Sequence, residues 1–272
     1  MNELAQRVVS ALILGSVVLL LVWWGNPGFA LLMTVGAAAI VWEWNGITRR
    51  LNDPAMVVAT LCAVLVVLAA ALGQWLAALL ALILGAAISQ LLALRARQAS
   101  RLLWLGVVYA VIPAAALVVL RDDPQWGRSA IFWLLFIVWA TDIGAYFAGR
   151  RIGGPKLWPA LSPKKTWAGA AGGLIAALAV GLAFTYGLAA RPNDLFGLVS
   201  LIVALSVAAQ LGDLAESALK RRFNVKDSSR LIPGHGGVMD RVDGLVAAAI
   251  VAGVVGAVRA GPDAAGAGLL LW

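Results

Sequence analysis

The sequence predicts an all-α polytopic membrane protein, a bundle of about nine transmembrane helices with a polar site at its cytoplasmic face. The first observation is composition, because 62% of the 272 residues are hydrophobic and only 12% are charged. Soluble domains typically contain roughly 45–50% apolar and about 25% charged residues. The second is that apolar segments of about 20 residues, the length that a helix needs to cross a bilayer, recur along the chain. The third is the uneven placement of the charges.

The first apolar segment, Val8–Trp24, is interpreted as a retained span. A signal peptide is the alternative, but the segment is long, it ends in tryptophans typical of a membrane interface, and no small-residue cleavage site follows it. Further spans are expected near Gly28–Thr48, Ala55–Leu72, Trp75–Leu94, Leu102–Leu120, Ser129–Ala148, Trp167–Ala189, Leu195–Leu219 and Val242–Val258. The tail after Arg259 is too short to cross the bilayer.

Basic residues are abundant in every second loop and scarce in the loops between. With the N-terminus in the cytoplasm, 17 of the 21 Lys and Arg residues lie inside and four lie outside, as the positive-inside rule requires. The inner set is Arg7, Arg49, Arg50, Arg95, Arg97, Arg101, Arg150, Arg151, Lys156, Lys164, Lys165, Lys220, Arg221, Arg222, Lys226, Arg230 and Arg241. The outer set is Arg121, Arg128, Arg191 and Arg259. Both long polar loops, Gly149–Thr166 and Lys220–Arg241, are therefore expected to face the cytoplasm.

An acidic stripe marks the end of the span near Leu195–Leu219. Asp213, Glu216 and Lys220 recur at helical spacing, so they share one face of the helix. Carboxylates near the end of a span face the bundle interior or a water-filled cavity. The structural alternative is an ion pair of Asp213 or Glu216 with Lys220 or Arg221.

A second acidic cluster opens the last span, where Asp240 and Asp243 lie three residues apart. A helix N-terminus favours an anion, so capping is the alternative for one of them, but it does not account for two. Two acidic clusters joined by a loop supply the oxygen ligands of Mg²⁺, which takes one or two carboxylates plus substrate phosphates. We therefore predict that Asp213, Asp240 and Asp243 are metal ligands.

The loop between the two clusters is cationic and rich in glycine. Basic side chains bond phosphate oxygens, and glycines let backbone N–H groups approach an anion. His235 is the only histidine, and its glycine neighbours favour contact with a phosphate or a base. Zinc is not expected, because no second histidine accompanies it. The candidate binding residues are Lys220, Arg221, Lys226, Asp227, His235, Gly236, Gly237 and Arg241, whereas Arg222 and Arg230 fit a topological role better.

An earlier stretch adds a second polar edge. Asp142 lies inside a predicted span and is followed by Tyr146 and Arg150, and then by Lys164 and Lys165 in a Ser-Pro-Lys-Lys-Thr-Trp sequence. This sequence lacks the glycine spacing of a Walker A motif, so we do not predict a P-loop. The two lysines are candidates for holding a phosphate, with a purely topological role as the alternative. Elsewhere, near the inner end of the second span, Glu43 is interpreted as a buried polar partner.

These motifs resemble a known family. Residues 217–243 read S-x-L-K-R-x4-K-D-x-S-x2-I-P-x-H-G-G-V-x-D-R-V-D, which resembles the signature of the phosphatidate cytidylyltransferases, or CDP-diacylglycerol synthases, at every quoted position. Residues 162–169, S-P-K-K-T-W-x-G, and residues 142–150, D-x-x-A-Y-x-x-G-R, are similar to other segments of that family. Ala168 stands where many members have a glutamate, and the first hundred residues add only hydropathy.

The resemblance implies a reaction in which phosphatidic acid attacks the α-phosphorus of CTP and releases pyrophosphate with the help of Mg²⁺. It implies that Asp213, Asp240 and Asp243 hold the metal and that Lys164 and Lys165 hold a substrate phosphate. A second cation, K⁺, is described for members of the family. The triphosphate would be held by Lys220, Arg221, Lys226, His235 and Arg241, of which Lys220 and Arg221 join the three aspartates as the expected catalytic residues.

Two other functions stay open at this point. A CTP-dependent polyprenol or dolichol kinase would also need a metal, CTP and a lipid, but it attacks the γ-phosphorus. An anion transporter would spread polar residues through the depth of several spans, whereas here they are concentrated at one end. We expect residues 1–125 to form N-terminal transmembrane helices and 126–272 the catalytic region of one integrated membrane domain. The expected location is a bacterial-type inner membrane, with a possible homodimer and no nucleic-acid partner.

Overall fold

The computed structural model describes residues 3–48, 54–95, 102–188 and 192–272 and confirms the predicted all-α membrane architecture. The helices are α1 Glu3–Trp24, α2 Gly28–Ile47, α3 Pro54–Ala71, α4 Trp75–Arg95, α5 Leu103–Asp122, α6 Gly127–Arg151, α7 Trp167–Gly187, α8 Leu195–Arg222, α9 Met239–Ala260 and α10 Ala265–Leu270. Five of the basic residues counted for topology lie outside the described ranges, namely Arg49, Arg50, Arg97, Arg101 and Arg191.

Eight helices of the described part, α2 to α9, are long and apolar enough to cross a membrane. In α1 only the shorter apolar stretch Val8–Trp24 is identified, so the count of nine stays a prediction. The short break after α3 is confirmed, because Gly73 adopts φ +68° there and ends the helix. Helices α6 and α8 extend beyond the predicted spans and carry Arg150, Arg151 and Lys220 on their last turns.

The chain divides into two compact units. The first contains Met1–Val119 and Arg222–Val242, and the second contains Leu120–Arg221 and Asp243–Trp272. The boundaries between the units fall inside α5, α8 and α9. The boundary in α5, between Val119 and Leu120, lies six residues before the predicted division between residues 125 and 126. The segment between α8 and α9 belongs to the first unit, although the sequence groups it with the C-terminal half.

Within the first unit, small residues let helices pack closely. A side chain at Gly85 of α4 would collide with the Cys62 thiol of α3, and one at Gly106 of α5 would lie 2.5 Å from the Trp44 indole of α2. The Trp44 Nε1–H donates to the Leu102 carbonyl at 3.0 Å. Because real Cβ atoms do not approach this closely, glycine is required where these helices cross.

In the second unit, α6 and α7 pack through a stripe of small residues. The buried face of α7 repeats every four residues and consists of Gly169, Gly173, Ala177, Gly181 and Thr185. A Cβ atom at Gly173 would lie 2.7 Å from the Thr141 carbonyl of α6. The small residues of the Gly169–Gly173 run thus permit close packing of α7 on α6.

A small β-hairpin connects α6 and α7, where the sequence indicated only a polar loop. Strand β1 (Lys156–Trp158) pairs antiparallel with β2 (Ser162–Thr166). Thr166 ends β2 and caps α7, because its buried Oγ1 accepts a hydrogen bond from the Gly169 N–H at 3.0 Å. Lys164 and Lys165 lie on β2, where the pairing is irregular between the Lys156–Thr166 and Trp158–Ser162 pairs.

The C-terminal tail packs against the second unit. The Asp123 carboxylate accepts from the Ala267 N–H of α10 at 2.8 Å. The Arg259 guanidinium lies over the Trp272 ring, 3.6 Å from its centroid, and donates to the Leu271 carbonyl. These contacts give the tail a packing role that the sequence did not indicate.

Candidate active site

A cleft of about 500 Å³ lies in the second unit, among α6, the hairpin, α7 and α8. It contains several polar residues that the sequence singled out in separate motifs. The lining residues are Asp142, Ala145, Tyr146, Gly149, Arg150, Leu157, Lys164, Lys165, Thr166, Gly169, Ala170, Gln210 and Asp213. The fold thus brings the second polar edge of the sequence and the first acidic stripe to one cavity.

An ion pair between Lys165 and Asp213 crosses this cleft. The Lys165 Nζ lies 2.5 Å from Asp213 Oδ2, and the two side chains are 26% and 33% exposed. The structural alternative predicted from the sequence was an ion pair of Asp213 or Glu216 with Lys220 or Arg221. The structure pairs Lys220 with Glu216, at 3.0 Å, so that alternative is confirmed for Glu216, whereas Asp213 forms an ion pair with Lys165.

The α6 wall of the cleft presents a cation held in place by a phenol. The Arg150 Nη1 donates to the Tyr146 hydroxyl at 2.8 Å, one helical turn away. Asp142 lies a further turn back on the same helix and also lines the cleft. A guanidinium oriented in this way is suited to a phosphate, because its N–H groups form a planar fork.

Gln210 lines the same cleft and was missed by the sequence analysis. Its Nε2 lies 3.4 Å from the Ala170 carbonyl of α7 and 3.4 Å from the Ser206 hydroxyl. A polar amide in the middle of an apolar span was the available signal, since such residues face the bundle interior.

Two predicted metal ligands come together where α8 and α9 cross within the second unit. A side chain at Gly212 would lie 2.5 Å from the Asp243 carbonyl, so only glycine permits this approach. Asp213 follows directly, and its carboxylate lies within electrostatic range of the Asp243 carboxylate. Glu216 and Lys220 are further charged neighbours of Asp243. The crossing thus gathers acidic oxygens beside the cationic wall of the cleft.

In the first unit, the loop between α8 and α9, residues 223–238, forms a folded turn that we call the glycine loop. Gly234 and Gly236 adopt φ +77° and +84°, which other residues rarely adopt. The Ile232 N–H donates to the Gly236 carbonyl at 2.8 Å and closes the turn. The loop therefore has a specific backbone conformation.

The Asp240 carboxylate accepts hydrogen bonds that hold this loop together. Its Oδ2 accepts from the Ser228 N–H at 2.9 Å, the Ser228 hydroxyl at 2.8 Å and the Gly237 N–H at 2.9 Å. These donors precede Met239, the first residue of α9, so the bonds of Asp240 hold the loop and its capping of the helix stays a prediction. The Gly237 N–H is used inside the loop by this bond, and its predicted contact with an anion stays a prediction.

Glu43 is completely buried and is confirmed as a polar partner. It accepts hydrogen bonds from Ser228, Ser229, Val238 and Met239. The last two donors are N–H groups where α9 begins, so a carboxylate on α2 satisfies the positive end of another helix.

His235 projects from the glycine loop and contacts α1 of the same unit. The Ser10 hydroxyl donates to the Pro233 carbonyl at 3.1 Å and lies 2.8 Å from His235 Nδ1. Since a carbonyl only accepts, the Ser10 oxygen accepts the Nδ1–H of the imidazole.

The remaining predicted binding residues are exposed on their respective units. Arg221 lies in the last turn of α8, in the second unit. Lys226 and Asp227 lie within the glycine loop of the first unit, and Arg241 follows that loop. Their predicted contacts with substrate stay predictions.

Comparison with known proteins identifies the family. The cytidylyltransferase family matches this chain over residues 5–258. The chain belongs to the cytidylyltransferase family. It is 42% identical over 273 residues to the phosphatidate cytidylyltransferase of Brucella suis, which covers 97% of each chain. It is 38% identical over 277 residues to the phosphatidate cytidylyltransferase of Haemophilus influenzae, covering 90% of this chain and 96% of that one. The enzyme of the same name from Bacillus subtilis is 47% identical over 124 residues, 46% of each chain.

Mg²⁺ binding stays a prediction for this cytidylyltransferase-family chain. Among the described side chains, no three His, Cys, Asp or Glu residues form a ready metal-binding group. Mg²⁺ does not need one, because it usually keeps several waters and takes one or two carboxylates together with substrate phosphates. Asp213 and Asp243 supply two carboxylates of this kind, whereas Asp240 Oδ2 is already hydrogen-bonded within the glycine loop.

Proposed function

We propose that this membrane protein transfers CMP from CTP to phosphatidic acid and forms CDP-diacylglycerol and pyrophosphate. The relation to the Brucella suis phosphatidate cytidylyltransferase along 97% of both chains carries this proposal. The cleft supports it, because Lys165, Arg150 and Asp213 line one cavity in a protein built from apolar spanning helices. Such a cavity is suited to an anionic headgroup whose acyl chains stay in the bilayer.

In the proposed reaction, an oxygen of the lipid phosphate forms a bond to the α-phosphorus of CTP. The bond between that phosphorus and the bridging oxygen to the β-phosphorus breaks, and pyrophosphate leaves. The second pKa of a phosphate monoester is about 6, so the attacking group is largely ionised near neutral pH and no general base is required. Catalysis then depends on positioning and on offsetting the repulsion between two anions.

The side chains of each unit supply these two requirements. In the second unit, Lys164, Lys165 and Arg150 are assigned to phosphate oxygens, because they line the cleft. Lys220 and Arg221 are assigned to the triphosphate on the basis of the family signature. In the first unit, the same basis assigns Lys226, His235, Arg241 and the glycines Gly236 and Gly237.

Asp213 and Asp243 would hold Mg²⁺, with Asp240 as a third predicted ligand. When bound, the ion would neutralise charge on the phosphates of the nucleotide. A K⁺ ion, an inner-membrane location, a cytoplasmic site and a homodimer are parts of the proposal that the family resemblance and the 17-to-4 charge distribution support.

An assay with the purified protein in lipid nanodiscs tests the proposal. CTP labelled in its α-phosphate is supplied with phosphatidic acid, with Mg²⁺ or with EDTA. We expect label in the lipid fraction together with pyrophosphate, only when Mg²⁺ is present. Release of labelled CDP with a polyprenol acceptor would identify the kinase alternative, and absence of labelled lipid would contradict the proposal.

A further inference from the structure

Glu43 is an ionisable side chain inside an apolar spanning helix. It is 0% exposed, and none of the roles assigned above to the reaction uses it. Placing a carboxylate in such a helix is costly, so these residues generally pair with other polar groups and mark functional sites. The partners of Glu43 therefore indicate what it does.

Four groups of the glycine loop and of the helix start that follows it donate hydrogen bonds to Glu43. Oε1 accepts from the Ser229 hydroxyl at 2.7 Å and from the Val238 N–H at 2.8 Å. Oε2 accepts from the Ser228 hydroxyl at 3.1 Å and from the Met239 N–H at 2.7 Å. The serines precede the turn and the N–H groups follow it. One carboxylate thus joins the segments on either side of the turn.

The fit around this carboxylate is tight. The Ser228 hydroxyl lies between Glu43 and Asp240, 3.1 Å from one carboxylate and 2.8 Å from the other. A Cβ atom on Gly237 would collide with both the Ser228 hydroxyl and Glu43 Oε1. The loop therefore closes directly onto Glu43, and its conformation depends on that side chain.

We propose that Glu43 is a positioning residue for the nucleotidyl transfer proposed above, on which this inference rests. It holds the glycine loop in the conformation that presents Lys226 and His235 to the nucleotide. Reactions at phosphorus depend on groups fixed in position, so a loop with released ends loses nucleotide affinity even when the helices stay packed. The N-terminal helices thereby contribute to a site whose sequence signature lies entirely in the C-terminal half.

The substitution Glu43→Gln tests this in the full chain in nanodiscs. The amide retains the shape but replaces one accepting oxygen with a donor, which then faces two other donors. Thr34→Val is the matched control on α2, because the Thr34 hydroxyl donates to the Ala30 carbonyl of its own helix at 2.8 Å. The readouts are hydrogen exchange at the Val238 and Met239 amides without substrate, and the Kd for labelled CTP.

We expect Glu43→Gln to accelerate exchange at both amides and to raise the Kd for CTP about tenfold, since unsatisfied buried donors are costly. Thr34→Val should change neither. Ser229→Ala removes one donor to Glu43 and the acceptor of the Leu231 N–H, and it keeps the carboxylate. It should therefore cause smaller changes in the same direction at the Val238 and Met239 amides even if Glu43→Gln fails to fold.

Unchanged exchange in both loop variants would overturn the inference, because Glu43 would then not hold the loop. Faster exchange with an unchanged Kd would also overturn it, because the loop would then be stabilised without serving the nucleotide. A wild-type protein that binds CTP but makes no CDP-diacylglycerol would contradict the proposed function alone, and the CTP affinities would still decide the role of Glu43. A wild-type protein that binds no CTP would contradict both.

Discussion

The ion pair between Lys165 and Asp213 is partly exposed, and such pairs typically stabilise a protein by only about 0–1 kcal/mol. A gain of this size does not account for its position in the cleft. Asp213 holds the Lys165 ammonium group in the cavity, and we propose that a substrate phosphate shares that group. The ion pair thus keeps the Lys165 ammonium group in position while contributing little to the stability of the fold.

Lys165→Met should therefore impair substrate binding more than folding. It keeps the apolar stem and removes the charge, so we expect the KM of at least one substrate to rise about tenfold, since hydrogen bonds to charged groups contribute roughly 1.5–3 kcal/mol. Steady-state kinetics with CTP and phosphatidic acid varied in turn measure this. Lys156→Met, in β1 of the same hairpin, is the control. Unchanged KM values for both substrates would remove Lys165 from the site.

At the scale of elements, glycine determines where helices cross. Gly212 lets α8 lie directly on the backbone of α9, and this contact is adjacent to Asp213 and Asp243. The stripe on α7 has the same effect against α6, the helix that carries Tyr146 and Arg150. Charged side chains on different helices reach one cavity because the backbones beside them are close.

Gly212→Leu should separate α8 from α9. The added side chain would meet the Asp243 carbonyl, and overpacking of this kind costs about 1–3 kcal/mol. We expect a lower unfolding temperature and a loss of turnover, because Asp213 and Asp243 move apart. Gly36→Leu in α2 is the control, since a Cβ atom there meets nothing within 4 Å. Equal stability and equal turnover in the two variants would contradict this account of the crossing.

At the scale of the whole molecule, the charge distribution predicts orientation. Translocation of basic loops is unfavourable, so the 17-to-4 distribution predicts that the glycine loop and the hairpin lie on the cytoplasmic side. That side is also where CTP is available to a bacterial membrane enzyme, so the topology and the proposed chemistry agree.

Labelling of single cysteines tests this orientation. In a Cys62→Ala background, Lys226→Cys should react with an impermeant maleimide only in inverted vesicles, and Arg128→Cys only in right-side-out vesicles. Both positions are exposed, and Cys62 is the only native cysteine. Reaction of Lys226→Cys in right-side-out vesicles would contradict the predicted topology.

Several features of the fold were predictable from local sequence. Helices α2 to α9 lie where apolar length predicts spans, because hydropathy is a sum over neighbouring residues. The hairpin was not predictable, because Lys156–Trp158 and Ser162–Thr166 are short and the second strand contains Pro163. Its pairing depends on where α6 ends and α7 begins.

The candidate site was predicted in its residues but not in its contacts. The sequence pointed to Asp213 and Lys165 separately, and tertiary structure made them partners. It indicated a buried role for Glu43 without naming the loop that binds it. Gln210 was missed, because a single amide in an apolar span has no periodic pattern.

The sequence by itself determined the membrane class, the expected orientation and the family, because apolar length, charge placement and a contiguous motif are local properties. Only the tertiary structure decided which charged groups meet. Glu43 binds residues 185 to 196 positions away along the chain. Such pairings depend on how closely helices cross, and that distance is set by packing between side chains that are remote in sequence.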